Sequence, residues 1–400
     1  MGKNNSSGAN ADVKEKAFRF IDGQKDEMMR LWEDLVNIDG GSKLVSGVNA
    51  VARRVKEEIE RGGGSARLIE FDGAGSMVLG EFALGAGAPV LLSGHMDTVF
   101  NEPGETTRRP FTVKDDKVYG PGVLDMKGGV VAAVFAAHAL KEAGFGKRAV
   151  KLLFAGDEEI AHANSDAAGV FTREAKGCAA AFNCESGFVD NAVVVGRKGT
   201  ATFMAAVKGV AAHAGNEPKN GRSAILEMAH KIIDIQNLTN WDKEYTFNVG
   251  VIKGGTVANA VPPNCEIEVD IRYVDPSILP ELKTLVEKTL SKTYIEGTTT
   301  ELVRFTPGIP PMQTTDGVTR LFNLWDKTSQ ENGFGVARPI KTGGGADSAY
   351  TVMAGVPTIC ATGVKGGRNH SADEFAVAES LFERAKLLAA TIIKLDGLSI

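Results

Sequence analysis

Four things are scarce in this chain of 400 residues: histidine, cysteine, long basic runs and long apolar runs. Each scarcity excludes something. Lys and Arg total 45 against 50 Asp and Glu, and the longest basic runs are pairs such as Arg53-Arg54 and Arg108-Arg109. No basic field favours nucleic acid as a partner. No stretch reaches the roughly 18 apolar residues of a membrane helix. The best, Val130 to Leu140, is short and contains His138, so no membrane partner is expected. Cys178, Cys184, Cys265 and Cys360 show no CxxC spacing, which predicts free buried thiols in a reduced, cytoplasmic setting. Met1 to Asp12 is polar and Gly/Ser/Asn-rich, lacks the apolar core of a signal peptide, and reads as a disordered tail.

What is present is ordinary globular composition, 43% hydrophobic and 24% charged, enough to bury a large core. Val45, Val48, Val51, Ala52, Val55 and Ile59 repeat at helical spacing. Short apolar runs follow: Pro89 to Ser93, Val150 to Ala155 and Ala179 to Phe182, with a helix pattern from Lys127 to Ala143 between the first two. Apolar strands alternating with helices predict an α/β fold with a mostly parallel sheet covered on both faces. Chemistry then collects at the carboxyl ends of strands. The texture changes after Asn191. Cys265, Ile267, Val269, Ile271 and Tyr273 alternate with polar residues, the pattern of a strand buried on one face. The order strand-helix-strand-strand-helix-strand is that of a split βαβ, ferredoxin-like domain. The expected organisation is a tail over 1–12, a catalytic domain over 13–193 and 307–400, and an inserted domain over 194–306.

Ligand-type residues gather at the predicted strand ends. His95 follows PVLLSG and precedes Asp97; Asp125 lies in GPGVLDMKGG before an apolar helix; Asp157, Glu158 and Glu159 follow VKLLFAG; Glu185 follows AAAFNC; His370 lies in RNHSADEF. Singly, each has an ordinary reading: a core histidine, a helix N-cap, a solvated acidic loop. Together, two imidazoles and three carboxylates at one sheet edge suit two borderline cations such as zinc, one carboxylate bridging. Adjacent carboxylates after a buried strand need a compensating cation. Glu158 is then free to act as general base on a water shared by two metals.

These residues resemble the co-catalytic dizinc family of aminoacylases, acetylornithine deacetylases, succinyl-diaminopimelate desuccinylases and glutamate carboxypeptidases, the last most of all. The resemblance runs from about Asp12 to Leu395, through SGHMDTV, GPGVLDMKGG, FAGDEE, CESG, AAHAG, GGTVANAVP, VDIRY, GGGADS and NHSADE. It implies that His95, Asp125 and Glu185 hold one Zn2+, that Asp125, Glu159 and His370 hold the other, and that Co2+ or Mn2+ can substitute. Asp97 would orient His95. Glu158 would be the base acting on a zinc-bridging water. The inserted domain would be a lid and the interface of a homodimer. In it His213 would stabilise the oxyanion, often across subunits, Asn259 would touch substrate, and Arg272 would bind the substrate carboxylate. Gly344 and Gly345 would contact substrate. The peptide after the bridging Asp is cis in that family.

The implied reaction is cleavage of a peptide or N-acyl amide bond beside a carboxylate, on a small peptide or N-acyl amino acid. Glutamate-releasing relatives place an Arg before a Pro-containing turn, whereas here Thr306 precedes Pro307 and Arg304 is offset, so no glutamate preference is carried over. Glu185 stands where tripeptide aminopeptidases have Asp, which favours carboxypeptidase or deacylase chemistry. The alternatives are a di- or tripeptide aminopeptidase and a non-catalytic zinc-binding scaffold. His138, His162 and His230 match no motif; His162 follows the DEE loop closely and is a candidate for lining a pocket.

Overall fold

The computed structural model describes residues 4–395, with side chains from residue 10. They divide into two units. The first holds the described residues up to Gly196, Thr314–Lys341 and those from Ala346 on; the second holds Arg197–Gln313 and Thr342–Gly345. The second unit therefore takes in 307–313 and Thr342–Gly345, which the sequence reading placed with the larger domain. The Thr342 carbonyl accepts the Lys198 amide, and Met312 exchanges two amide hydrogen bonds with Arg197.

The first unit is built on a seven-stranded mixed sheet. Its centre is parallel: Val90–Ser93 pairs with Ala180–Asn183, and Thr358–Cys360 pairs with Ala181–Asn183. Its edge is antiparallel, Ser65–Phe71 against the start of the long Ala74–His95 strand. Two of the apolar runs seen in the sequence are these central strands, and every residue of Ala180–Asn183 is buried. The third, Val150 to Ala155, pairs antiparallel with the long strand, so the sheet is mixed and not the mostly parallel one expected. The stretch Val123–Glu142 is long and apolar enough to span a bilayer by composition, yet it is buried inside this unit from Val123 to Leu140. It is also interrupted, because Asp125 and Met126 have non-helical backbone angles. The helix proper, Gly128–Glu142, is buried on all sides from Gly128 to Leu140, as an element apolar all round must be.

The expected tail over 1–12 is corrected by the structure. Residues 1–3 lie outside the described residues, but a helix runs Asn4–Gly23. Its C-terminal half is anchored: Ala17 and Ile21 are fully buried at i and i+4, and Lys386 bonds Asp22 at 2.6 Å. Once a turn is nucleated by packing, extension adds one hydrogen bond per residue fixed. Composition alone misses this help from tertiary contacts.

The second unit has a four-stranded antiparallel sheet. In spatial order it runs Thr246–Gly254, Asn264–Tyr273, Gly199–Lys208, Thr299–Pro307. This order and the two helices Ala224–Gln236 and Leu279–Leu290 give the ferredoxin-like split βαβ arrangement. The alternating strand buries Cys265, Ile267, Val269, Ile271 and Tyr273 with Met228, Leu282 and Val286 from the helices. Each such large side chain contributes roughly 1.5–3 kcal/mol. The opposite face is left to Glu268, Asp270 and Arg272.

Candidate metal centre

Five segments of the first unit deliver the five ligand-type side chains. His95 ends the Ala74–His95 strand, and Glu185 lies two residues past Ala180–Asn183. These strands pair with Ser93 opposite Asn183, so both residues leave the same rim. Arg148–Gly156 pairs Ala155 with His95, which brings Glu158 and Glu159 to that rim as well. Asp125 comes from the kink before the central helix, where its peptide bond to Met126 is cis. His370 comes from the loop before Phe375–Val377. Tight packing of the kink needs glycine: a Cβ on Gly129 would lie 1.8 Å from the Cys184 carbonyl oxygen.

Asp125 lies between the two imidazoles. Its Oδ1 is 3.3 Å from His95 Nε2 and its Oδ2 is 3.2 Å from His370 Nε2. His95 Nε2 also faces Glu185 Oε1 at 3.5 Å, and His370 Nε2 faces Glu159 Oε2 at 3.2 Å. Glu158 Oε2 is more remote from His95 Nε2, at 4.0 Å. Potential ligand atoms of His95, Glu158 and Glu185 lie within 4.8 Å of one another, as do those of His95, Asp125 and Glu159. The predicted ligand residues are thus brought together, with Glu158 beside them.

Three further residues hold the site in shape. His95 Nδ1 contacts the Asp97 backbone carbonyl at 3.0 Å, which leaves Nε2 for the cluster. The Asp97 carboxylate accepts the backbone N–H groups of Glu158 and Glu159, each at 3.1 Å, and the Ser42 hydroxyl at 2.6 Å. It thus steers the acidic turn as well as lying beside the imidazole. Glu374, fully buried, accepts the N–H groups of Gly122, Leu124 and Asp125. Asn369 donates to Asp125 Oδ2 at 3.1 Å. Sequence reasoning assigned nothing to Glu374 or Asn369, although both stand in the NHSADE stretch beside His370.

Charge in the cluster is out of balance. Burial pushes the Glu158 carboxyl well above its ordinary range, and Glu185, Asp347 and Glu159 add to this against the pull of His95. Burial likewise raises Glu159, which His370 only partly offsets. Burial alone would lower His95, yet Glu185, Asp125 and Asp97 hold it well above the usual histidine value. Asp125 and Glu159 raise His370 to about 10. Glu159 Oε1 is buried with no hydrogen-bond partner among the described residues. Protons on the histidines stand in for missing positive charge. Carboxylate and imidazole donors of this kind fit divalent cations, and they would take the place of those protons.

The second unit holds the remaining candidates. A two-residue ladder sets His213 opposite Ala260, and Ala214 donates its amide to the Asn259 carbonyl at 3.0 Å. His213 Nδ1 accepts the amides of Gly215 and Asn216, each at 3.1 Å. The neutral ring therefore carries its proton on Nε2. Arg272 donates Nε to Asp270 at 2.8 Å and Nη1 to the Gly343 carbonyl at 3.1 Å. Gly344 and Gly345 offer their carbonyls to Arg197.

A carboxylate–imidazole cluster at the rim of an α/β sheet, buried except for His370 and lying beside an extra glutamate, defines a metal-dependent hydrolase. The chain belongs to peptidase family M20/M25/M40, which it matches over residues 91–394. Carboxypeptidase G2 of Pseudomonas sp. (strain RS-16) is 29% identical over 383 residues, covering 94% of this chain and 91% of that protein. An acetylornithine deacetylase of Erwinia tasmaniensis is 31% identical over 229 residues, covering 54% of this chain and 57% of that protein. Among solved structures, the aminopeptidase PepT of Bacillus cereus superposes with a TM-score of 0.77 at 21% identity, covering 93% of this chain and 99% of that one. The last likeness is one of fold.

Proposed function

We propose that this chain is a dizinc hydrolase that cleaves a peptide or N-acyl amide bond next to a substrate carboxylate. The observation that carries the reading is Asp125, whose two oxygens each face a different histidine of a cation-poor cluster. His95, Asp125 and Glu185 would hold one ion and Asp125, Glu159 and His370 the other. When bound, the pair supplies Lewis-acid charge that activates water and polarises the scissile carbonyl.

The chain's own residues do the rest. Glu158 stands beside the ligands, farther from His95 than Asp125 or Glu185 are. Its carboxylate takes a proton from the attacking water and returns it to the leaving nitrogen. The tautomer of His213 presents an Nε2–H donor suited to a developing oxyanion, with Asn259 beside it. Arg272 receives the substrate carboxylate through its guanidinium edge, next to the glycines 344 and 345. The carboxypeptidase and deacetylase among the relatives support cleavage beside a carboxylate.

A panel of N-acyl amino acids and of N-blocked and C-blocked dipeptides tests the substrate class. Turnover of N-blocked, free-carboxylate substrates is expected; turnover restricted to free-amine, C-blocked peptides would replace this reading with an aminopeptidase. Arg272→Ala should raise KM for carboxylate substrates about 10- to 100-fold, the loss of a charged hydrogen bond of about 1.5–3 kcal/mol, and leave amidated analogues unaffected.

Homodimerisation through the second unit is part of the proposal. Leu226 and Ile233 on the Ala224–Gln236 helix are exposed, as are Val251 and Ile252 on the edge strand Thr246–Gly254. Ile252→Lys should yield a monomer in sedimentation. If His213 serves the partner's site, that monomer will have lost nearly all turnover; an equally active monomer would assign His213 to its own chain.

A further inference from the structure

His162 lies outside every motif, yet it is one of the most constrained side chains in the first unit. Its Nδ1 is 2.9 Å from Asp157 Oδ1 and its Nε2 is 2.6 Å from Asp347 Oδ1. All three residues are buried, none more than 7% exposed. Ionised carboxylates only accept hydrogen bonds, so a ring facing one at each nitrogen donates from both and is an imidazolium. Burial opposes that charge, but Asp347 and Asp157 outweigh it and hold the group well above the usual histidine value. Phe171 and Tyr350 pack on the ring at 6.2 and 5.9 Å between centroids.

The backbone supports the same constraint. His162 has φ +56° and Ala161 has φ +53°, the left-handed region that costs a non-glycine residue roughly 1 kcal/mol or more. Two such residues in succession turn the chain back on itself straight after Glu158–Ile160. The His162 amide then donates to the Asp157 carbonyl at 3.0 Å, and the Ala161 amide to the Glu158 carbonyl at 2.7 Å. The Ser165 hydroxyl adds a bond to Asp157 Oδ1 at 3.0 Å. One ring thus closes the turn that carries Glu158 and Glu159 and ties it to Asp347, the residue leading into the helix Ser348–Met353. Asp97 grips the amides of that turn from the other side of the sequence.

We propose that His162, clamped between Asp157 and Asp347, is a positioning residue that aims the Glu158 carboxylate for the hydrolysis described above, on which this inference rests. The side-chain bonds of the clamp join His162, Asp157, Asp347 and Ser165 and reach no ligand side chain and no substrate-binding candidate. Glu159 on the same turn is also held by His370, so loss of the clamp chiefly changes the placing of the Glu158 carboxylate, by a fraction of an ångström to an ångström, an error that costs about 10- to 100-fold in rate.

Two variants of the metal-loaded full chain test this, His162→Gln and Asp347→Asn. Each is expected to lower kcat about 10- to 100-fold, with KM and metal content per chain unchanged. Unmodified protein should also show two hydrogen-bonded imidazole N–H proton resonances downfield of the backbone amides. Both vanish in His162→Gln, and the one bonded to Asp347 moves upfield in Asp347→Asn, whose neutral amide oxygen is a weaker acceptor than the carboxylate. A kcat within about twofold of the parent in a folded variant overturns the proposal, as does a parallel fall in metal content. If His162→Gln does not fold, Asp347→Asn, which keeps the bond to Asp157, decides by itself. Failure of the unmodified protein to turn over any substrate would sink the hydrolase reading instead. The two proton signals would then still report whether the clamp exists.

Discussion

Glu158→Gln should cut kcat by about 100- to 10,000-fold, the usual share of a general base, and leave metal content and KM close to those of the parent. Glutamine keeps the shape and can still accept one hydrogen bond, so the comparison isolates proton transfer. Metal content decides between two roles, because Glu158 lies near enough to His95 and Glu185 to be read as a ligand. At 4.0 Å from His95 Nε2 it is the outlying member, and Asp125 and Glu185 already fill that side of the ring. A ligand glutamate replaced by glutamine would release metal; a base would not. Full activity in the variant would remove Glu158 from the mechanism. Steady-state kinetics paired with metal analysis on one preparation reads both quantities.

How much of this was legible in the chain follows from which interactions are local. The strand Asn264–Tyr273 announced itself because burial on one face forces alternation, and every second residue from Cys265 to Tyr273 is indeed buried. The ligand cluster was legible because strand ends carry side chains to a common rim, and the register of Ser93 with Asn183 makes the rim common to His95 and Glu185. The supporting shell was not legible. Glu374 acts through three backbone amides 249 to 252 residues away in sequence, and amides carry no residue identity. Asp97 reads as a histidine orienter from its spacing, while its bonds to the amides of Glu158 and Glu159 appear only once the strands are paired. His162 is invisible for a related reason, since its second partner lies 185 residues on. The N-terminal helix was missed because its stability comes from the burial of its own Ala17 and Ile21 against the rest of the unit and from the bond of its Asp22 to Lys386, beyond the reach of composition.

Stripping the metal should abolish turnover and reverse the pH dependence of stability. In the metal-free protein the proton takes the cation's place. The His370 imidazole is raised to about 10 from 6.5, and Glu374 to about 7 from 4.5, the latter chiefly by burial. Glu158, Glu159 and His95 shift the same way. A group that binds its proton more tightly when folded stabilises fully below its unfolded value and loses that contribution as pH rises through the folded one. Asp125, lowered by bonds from His370 and His95 that outweigh burial, acts oppositely, but only near and below its ordinary value of 3.8. Metal-free protein should therefore lose stability steadily from about pH 4.5, where the buried carboxyls begin to ionise in the unfolded chain, toward pH 10, where His370 gives up its proton. Loaded protein should behave otherwise, since ligands must be deprotonated to bind and protons compete with metal. At free metal near 1,000 times Kd the ion adds about 4 kcal/mol, so the two melting curves should diverge as the solution is made more alkaline. Chelation followed by dialysis, thermal melts at several pH values, and re-addition of Zn2+, Co2+ or Mn2+ would show it. Melting temperatures that stay equal across the range, with activity surviving chelation, would mean that the acidic rim holds no ion and that its charge is balanced by protons alone.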